Sequence, residues 1–390
     1  MRRVARRGAF VVANVALLSV VGILAYTGFS AVFDTTHGRM IDPELDPDAP
    51  GYEAFVESTP TLAVLGRDHD GALSWVAVLA LSGPRDQGGS VLLVPASTLA
   101  PDFAADFDTL REVDEAGGAE ATAGSVADII GAAVGEVAEV DPTRLGGLVA
   151  PVAPFTVANP DGAGAFPPGD VVIDATNAAD FLLATEAGES DLTRLARHEA
   201  FWQAWLAAVA ASANADAVPG ETGSGIGRFV RGLAAGQVAF DVPPVREEVT
   251  PEGITEFRVD LAAASDLTEN AIPFPAAARP GARSRVRVLD GVGADGLALR
   301  TAREVVAGGG QIVVVGNVDR FEESAATRVV FYEPALADRA GAIADRLGVV
   351  AEQLGGPNPD DDVDITVVAG ADLLEAYGLT PRPTPGADTG

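Results

Sequence analysis

Several stretches of this sequence carry residue types and spacings that could do chemistry. Gly291-Val292-Gly293-Ala294-Asp295-Gly296 is a literal G-x-G-x-x-G between an apolar run and a helix-forming one, the setting in which glycine amides cradle a pyrophosphate. The next apolar run, QIVVV, leads into Gly316 and Asn317 with no acidic residue to hold a ribose, so a tight turn into a helix is the reading taken. Asp191, Arg194, Arg197 and His198 share one helix-forming segment. Asp and Arg three residues apart either pair locally or hold an anion together, and spacing alone does not separate the two. VLLVPASTLA, from Val91, closes an apolar run at Pro95 in a small polar turn of Ala96, Ser97 and Thr98. GSGIG, around Ser224, has the glycines of a serine-nucleophile elbow but no preceding strand, and reads as loop.

Composition narrows the chemistry further. The 390 residues contain no cysteine and only three histidines, His37, His69 and His198, set far apart. Disulfides, thiolate nucleophiles, cysteine-zinc sites and a histidine cluster are therefore excluded, and metal chemistry would have to be carboxylate-bound and of the magnesium type. A formal charge of -30 at pH 7 repels phosphate backbones, so nucleic acid is not an expected partner. Hydrophobic residues at 48%, in a chain longer than one typical domain, predict two folded units.

The elements that must position these residues follow from periodicity. Arg2, Arg3, Arg6 and Arg7 make residues 1–7 a basic stub, ahead of an uncharged stretch from Gly8 to Phe33. That stretch is about as long as the ~20 residues a spanning helix needs, and longer than the ~7 to 15 of a signal-peptide core. The expectation is a retained, single-pass transmembrane helix over 8–33, with the N-terminus cytoplasmic and the bulk of the chain extracytoplasmic in the cell envelope. Residues 34–60, with IDPELDPDAPG, read as a solvated stalk. TLAVLG from Thr61, WVAVLAL from Trp75 and SVLLV from Ser90 read as buried strands, with GPRDQGG a hairpin turn between the last two. Val126, Ile129, Ile130 and Val134 line one helix face, and Asp191–Ala211 forms a second helix whose Phe201, Trp202 and Trp205 belong to the core. Residues 61–265 are thus one α/β unit, and 266–282, rich in proline and alanine, a linker. Residues 283–377 run β-α-β-β-α-β, and 378–390 form a tail predicted to be disordered.

Together these features resemble the LytR-CpsA-Psr family of bacterial envelope proteins, followed by the smaller LytR C-terminal domain found behind many actinobacterial members. VRVLDGVGADGLA, QIVVVGN, ATRVVFYEP and DITVVAGAD carry the second likeness over about Arg283 to Asp372. The first likeness spans about Thr61 to Pro244. The family's first strand ends in G-x-D, kept here as Gly66-Arg67-Asp68. Its second strand opens with Asp-Thr, where Ser74-Trp75 stands, and its third ends in Pro-Arg-Asp-Thr, where Pro95-Ala96-Ser97-Thr98 stands. The arginines that follow an Ala-Leu-x-Tyr-like segment are missing from AADFLLATEAG. A later D-x-x-R-x-x-R-Q is met by Asp191, Arg194 and Arg197, with His198 in place of Gln.

The fold this resemblance implies is α/β: an N-terminal transmembrane helix, an α/β/α sandwich-like domain on a central mixed sheet, and a small β-α-β-β-α-β domain. Active members move a glycopolymer from a polyprenyl pyrophosphate carrier to peptidoglycan, with carboxylates holding magnesium and guanidinium groups gripping the pyrophosphate. No neutral side chain imitates a bidentate arginine. Ser74, Ala96 and Ser97 then mark degenerate catalytic positions. Arg67, Arg85, Arg194 and Arg197 are the candidate phosphate-binding residues, and Asp68 the candidate metal ligand. The expectation is a non-catalytic envelope protein, without cofactor, that binds polyprenyl-linked glycan or peptidoglycan at the membrane or assists an active family paralogue. An active magnesium-dependent phosphotransferase is the first alternative, since Pro84-Arg85-Asp86 spells the missing triplet one strand earlier. It requires Arg67, Arg85, Arg194 and Arg197 to converge with Asp68 on one cleft, with Arg111 another possible substitute for a missing arginine, although an exposed arginine on a solvated face is the commoner case. A purely structural envelope module is the second.

Overall fold

Strand after strand in the first domain is apolar on both faces, the pattern of a sheet covered on both sides. The computed structural model describes residues 46–101, 108–212, 214, 217–220, 223–322 and 324–380. The spanning helix expected over 8–33, the basic stub, the first part of the stalk and the tail from residue 381 lie outside the described residues. Among the described residues no helix is long and apolar enough to cross a membrane.

The chain runs β1 (Glu53–Phe55), β2 (Thr61–Arg67), β3 (Leu73–Ala80), β4 (Gly89–Val94), α1 (Leu110–Ile130), β5 (Glu136–Val140), α2 (Pro142–Val149), β6 (Phe155–Asn159), β7 (Gly169–Ile173) and α3 (Ala178–Leu183). It continues through α4 (Asp191–Ala211), α5 (Gly225–Ala234), β8 (Val238–Asp241), β9 (Val245–Val249), β10 (Thr255–Val259) and α6 (Leu261–Ala271). The central sheet has the order β5-β2-β3-β4-β8, antiparallel at β2/β3 and β3/β4 and parallel at its two outer pairs, hence mixed. Alternate residues feed opposite cores. Leu62, Val64, Trp75, Ala77, Val91 and Leu93 face α2 to α5 and the β6–β7 hairpin. Ala63, Leu65, Val76, Val78, Leu92 and Val94 face α1 and α6. The result is the expected α/β/α sandwich.

Local chemistry fixes the two helices nearest the site. Thr109 caps α1 in a reciprocal box with Glu112, and Gly118, at φ 71°, breaks that helix into two segments. Ser190 caps α4 by accepting from the Thr193 amide.

The second domain adds β11 (Ser284–Asp290), α7 (Leu297–Ala307), β12 (Gly310–Asn317), β13 (Arg328–Phe331), α8 (Ala337–Leu347), β14 (Ala351–Gln353), β15 (Ile365–Ala369) and α9 (Asp372–Tyr377). The expected β-α-β-β-α-β run is present, with the short β14 added between α8 and β15. The sheet order is β1-β12-β11-β15-β13-β14, with β11 parallel to both β12 and β15.

Three boundaries differ from the sequence reading. Residues 34–60 are not stalk throughout, because Glu53–Phe55 pairs antiparallel with β12 as an edge strand of the second domain's sheet. The linker 266–282 begins inside α6, since LAAASDLTENA is alanine-rich because it is helical, alanine having the highest helix propensity. Asp260 caps that helix, and the single proton of the Thr268 hydroxyl is shared between Ile130 O at 2.5 Å and Ala264 O at 2.9 Å. The presumed loop around Ser224 gives way to α5 at Gly225.

The G-x-G-x-x-G turn holds an anion of its own. The buried Asp290 carboxylate accepts from the amides of Val292, Gly293 and Ala294 at 2.8, 2.9 and 2.7 Å, so the amides that would cradle a phosphate are already engaged. Gly293 and Gly296, at φ 72° and 79°, supply the left-handed turns this wrapping needs. Asp290→Asn, which replaces one accepting oxygen by an amide group, is expected to cost about 1–2 kcal/mol in chemical denaturation while leaving the first domain's unfolding unchanged.

Candidate functional site

β2 ends, β3 begins and β4 ends at the same edge of the central sheet, and the N-terminus of α4 abuts that edge. This topology brings Asp68, Ser74, Ala96, Ser97, Asp191 and Arg194 together.

The centre of the cluster is Asp191. Its Oδ2 accepts from the Ser97 hydroxyl at 2.7 Å, from the Ser97 amide at 3.1 Å and from Arg111 Nη2 at 2.8 Å. Its Oδ1 accepts from Arg194 Nη2 at 2.9 Å. The same Arg194 nitrogen donates to Ser74 O at 2.9 Å, and Arg111 Nε donates to Leu73 O at 3.2 Å. Asp191, Ser97, Arg111 and Arg194 therefore bond to one another, although Arg194 Nε is buried without a hydrogen-bond partner. Arg194 is buried, and burial pushes its pKa below the usual arginine value even though Asp191 pulls the other way.

The remaining arginines are drawn elsewhere. Arg197, also buried, donates to both oxygens of Glu189 at 3.0 and 2.9 Å and to Ala184 O at 2.8 Å. Arg67 forks onto Asp114 of α1 and Glu139 of β5, and those bonds, Asp114's first, raise its pKa. Arg85 sits in the β3–β4 connection, at the opposite end of β4 from Ser97. It has φ 57°, beside an Asp86 that pairs with Arg228 of α5 at 3.0 Å. Arg67, Arg85, Arg194 and Arg197 do not converge, and Pro84-Arg85-Asp86 is a hairpin turn remote from the cluster.

The turn 95–98 is tied down on every side. Thr98 N donates to Pro95 O, Leu110 N to Thr98 O, Arg111 N to Ala96 O and Phe257 N to Ser97 O. Ala96 is 1% exposed, within the core that faces α1 and α6. An arginine in its place would have no volume to occupy.

Asp68 caps its own turn, accepting from the amides of Asp70 and Ala72 at 2.9 Å each through Oδ1. Both Asp191 oxygens face cationic or hydroxyl donors, so that carboxylate is already engaged. Among the described residues no three His, Asp or Glu side chains are grouped to hold a metal.

Behind the cluster the interior is filled by aromatic rings. Trp75 meets His198 edge-on at 5.9 Å and Trp202 at 6.4 Å, while Trp202 and Trp205 lie 5.2 Å apart. His198 is fully buried, its Nε2 2.9 Å from Leu182 O, and burial drops its pKa to about 3. The Trp75 indole lies across Gly66, where a Cβ would fall 1.9 Å from the ring. Gly66→Ala is therefore expected to destabilise the first domain by about 1–3 kcal/mol through overpacking, read from the denaturation midpoint.

Sequence reasoning named Arg111 only as a general substitute, and it missed Asp114, Glu139 and Glu189 as arginine partners. Arg111 carried one usable signal: the Thr109–Glu112 capping box places it in the first turn of α1.

An α/β/α sandwich with an arginine–carboxylate cluster at one sheet edge, followed by a small βαβ-based domain, defines the class of fold. Residues 283–373 match the family described as "LytR cell envelope-related transcriptional attenuator", so the second domain is a LytR C-terminal domain, as its strand, glycine turn and helix run indicated. No curated protein matches the chain. Among solved structures, the chain is similar to Bacillus subtilis TagT, with 15% identity, 58% of this chain and 92% of that chain covered, and a TM-score of 0.44. It is also similar to TagT bound to LIIa-WTA, at 16% identity and TM-score 0.45, with the same coverage. A third is the LytR-CPS2A-psr family protein YwtF (TagT) with bound octaprenyl pyrophosphate lipid, at 14% identity and TM-score 0.43, covering 58% of this chain and 91% of that one.

Proposed function

We propose that this chain is a cell-envelope protein, anchored by the segment 8–33, whose first domain binds a polyprenyl-linked or wall glycopolymer without transferring it. The envelope setting is supported by the match over residues 283–373 and by the arginine-flanked apolar N-terminus. The observation that carries the non-catalytic reading is the Asp191 cluster: Arg194 and Ser97 close on Asp191, and Ala96 is packed into the core. The residues that would grip a pyrophosphate and hold a metal instead hold each other. Arg111, paired with Asp191 but with a side chain 41% exposed beside Asp68 and Ser74, is the more exposed of the two arginines on Asp191 and the one open to an anionic glycan at this edge.

The test of binding uses the purified full chain in detergent and a labelled polyprenyl-pyrophosphoryl glycan. Retention of the label, weakened several-fold by Arg111→Ala, is expected. No retention by the wild-type chain would leave a structural envelope module as the better reading.

A further inference from the structure

The edge of β12 in the second domain is covered by residues that precede the first domain. Beyond the β1 pairing, Gly51 N donates to Val318 O at 2.9 Å, Asn317 N to Tyr52 O at 2.7 Å and Val56 N to Val313 O at 3.0 Å. The Asn317 side-chain amide donates to Pro47 O and Ala49 O at 2.9 and 2.8 Å. This is strand addition to a sheet edge, with main-chain bonds supplying the attachment. A Cβ at Gly316 would lie 2.1 Å from Tyr52 O, 2.8 Å from Glu53 Cα and 3.1 Å from Glu53 Cγ, so its nearest contacts are all on the incoming strand. Gly316 is therefore a residue whose bareness serves the added strand.

We infer that residues 46–56 are a clasp that fastens the LytR C-terminal domain to the membrane-proximal end of the chain. The chain enters through the second domain's sheet, builds the first domain, and returns to complete the second. The C-terminal domain is thus no distal appendage. On the proposed anchor over 8–33, only 12 residues lie between Phe33 and Asp46, a reach of at most about 45 Å. The clasp holds the point where the chain joins the domain's sheet within that distance of the bilayer.

The absence of cysteine lets a single dye be placed at the exposed Arg320 by Arg320→Cys in the full chain. Reconstituted in phosphatidylglycerol vesicles with an acceptor lipid, this chain is expected to show strong energy transfer. Gly316→Val is expected to lower the transfer at least two-fold with flotation unchanged, and Asn317→Ala, which leaves β12 intact, to lower it less. Transfer unchanged in both variants overturns the clasp. Failure of every variant to float overturns the anchor and, with it, the membrane placement. The clasp is then decided by cleaving the full chain at a protease site placed at Pro280-Gly281. Retention of the C-terminal fragment by the wild type and its release from Gly316→Val support it, and equal behaviour of the two overturns it.

Discussion

Asp191→Ala is expected to lower the stability of the first domain by about 3–5 kcal/mol, read from the denaturant midpoint at constant slope. The size follows from what the substitution leaves behind. Arg194, with a side chain 8% exposed, would lose its carboxylate partner, and Ser97 would lose the acceptor of both its hydroxyl and its amide. Breaking a buried pair on one side strands a desolvated charge, which costs far more than the net worth of the pair. Arg194→Met, which removes the charge and keeps much of the volume, is expected to cost less than Asp191→Ala. Arg111→Ala, at a partly exposed position, is expected to cost no more than about 1 kcal/mol. A ranking in which Arg111→Ala were the most damaging of the three would mean that Asp191 is not the centre of the cluster.

Stability is also expected to fall steeply with acid because of His198. Its folded pKa of about 3 lies well below the ordinary histidine value of 6.5, owing first to burial and then to the nearby Arg194 charge. A depressed folded pKa means that the unfolded chain takes up the proton first. The neutral ring's contribution is therefore full above pH 6.5 and is lost as pH falls from there toward 3, by up to about 1.4 kcal/mol per pH unit. His198→Gln isolates the histidine part: between pH 6.5 and 4.5 its stability should be nearly flat while the wild type declines. Parallel profiles for the two proteins would show that His198 carries a proton in the folded state or is accessible to one.

The elements that the sequence displays clearly are those whose pattern is local. The apolar runs from Thr61, Trp75 and Ser90 announce strands because burial on both faces leaves no polar alternation to confuse them. The VRVLDGVGADGLA run is recognisable because strand, turn and helix start are consecutive, and Asp290, one residue before the first glycine, explains why the turn needs no phosphate. What stayed hidden depends on distant partners. The pairing of Glu53–Phe55 with β12 joins segments more than 250 residues apart, and no residue of β1 signals it. The site shows the same division. Gly66-Arg67-Asp68 and Ser74 close and open consecutive strands, a position legible in the sequence, whereas the fates of Arg67 and Arg197 turn on carboxylates from α1, β5 and the loop before α4. Arg85 was ambiguous in sequence because a hairpin turn and a catalytic turn can share the letters Pro-Arg-Asp, and only the antiparallel pairing of β3 with β4 puts it at the far end.

The most direct test of the non-catalytic reading is a single-turnover assay. Purified full chain in stoichiometric excess over a labelled polyprenyl-pyrophosphoryl glycan, with peptidoglycan and magnesium present, is followed for polyprenyl phosphate, the product left when the phosphoanhydride bond is broken in transfer. The closed Asp191 cluster predicts no product above a protein-free blank while the glycan remains bound. Formation of one equivalent of polyprenyl phosphate, abolished by Arg194→Met or by Arg85→Ala, would contradict it.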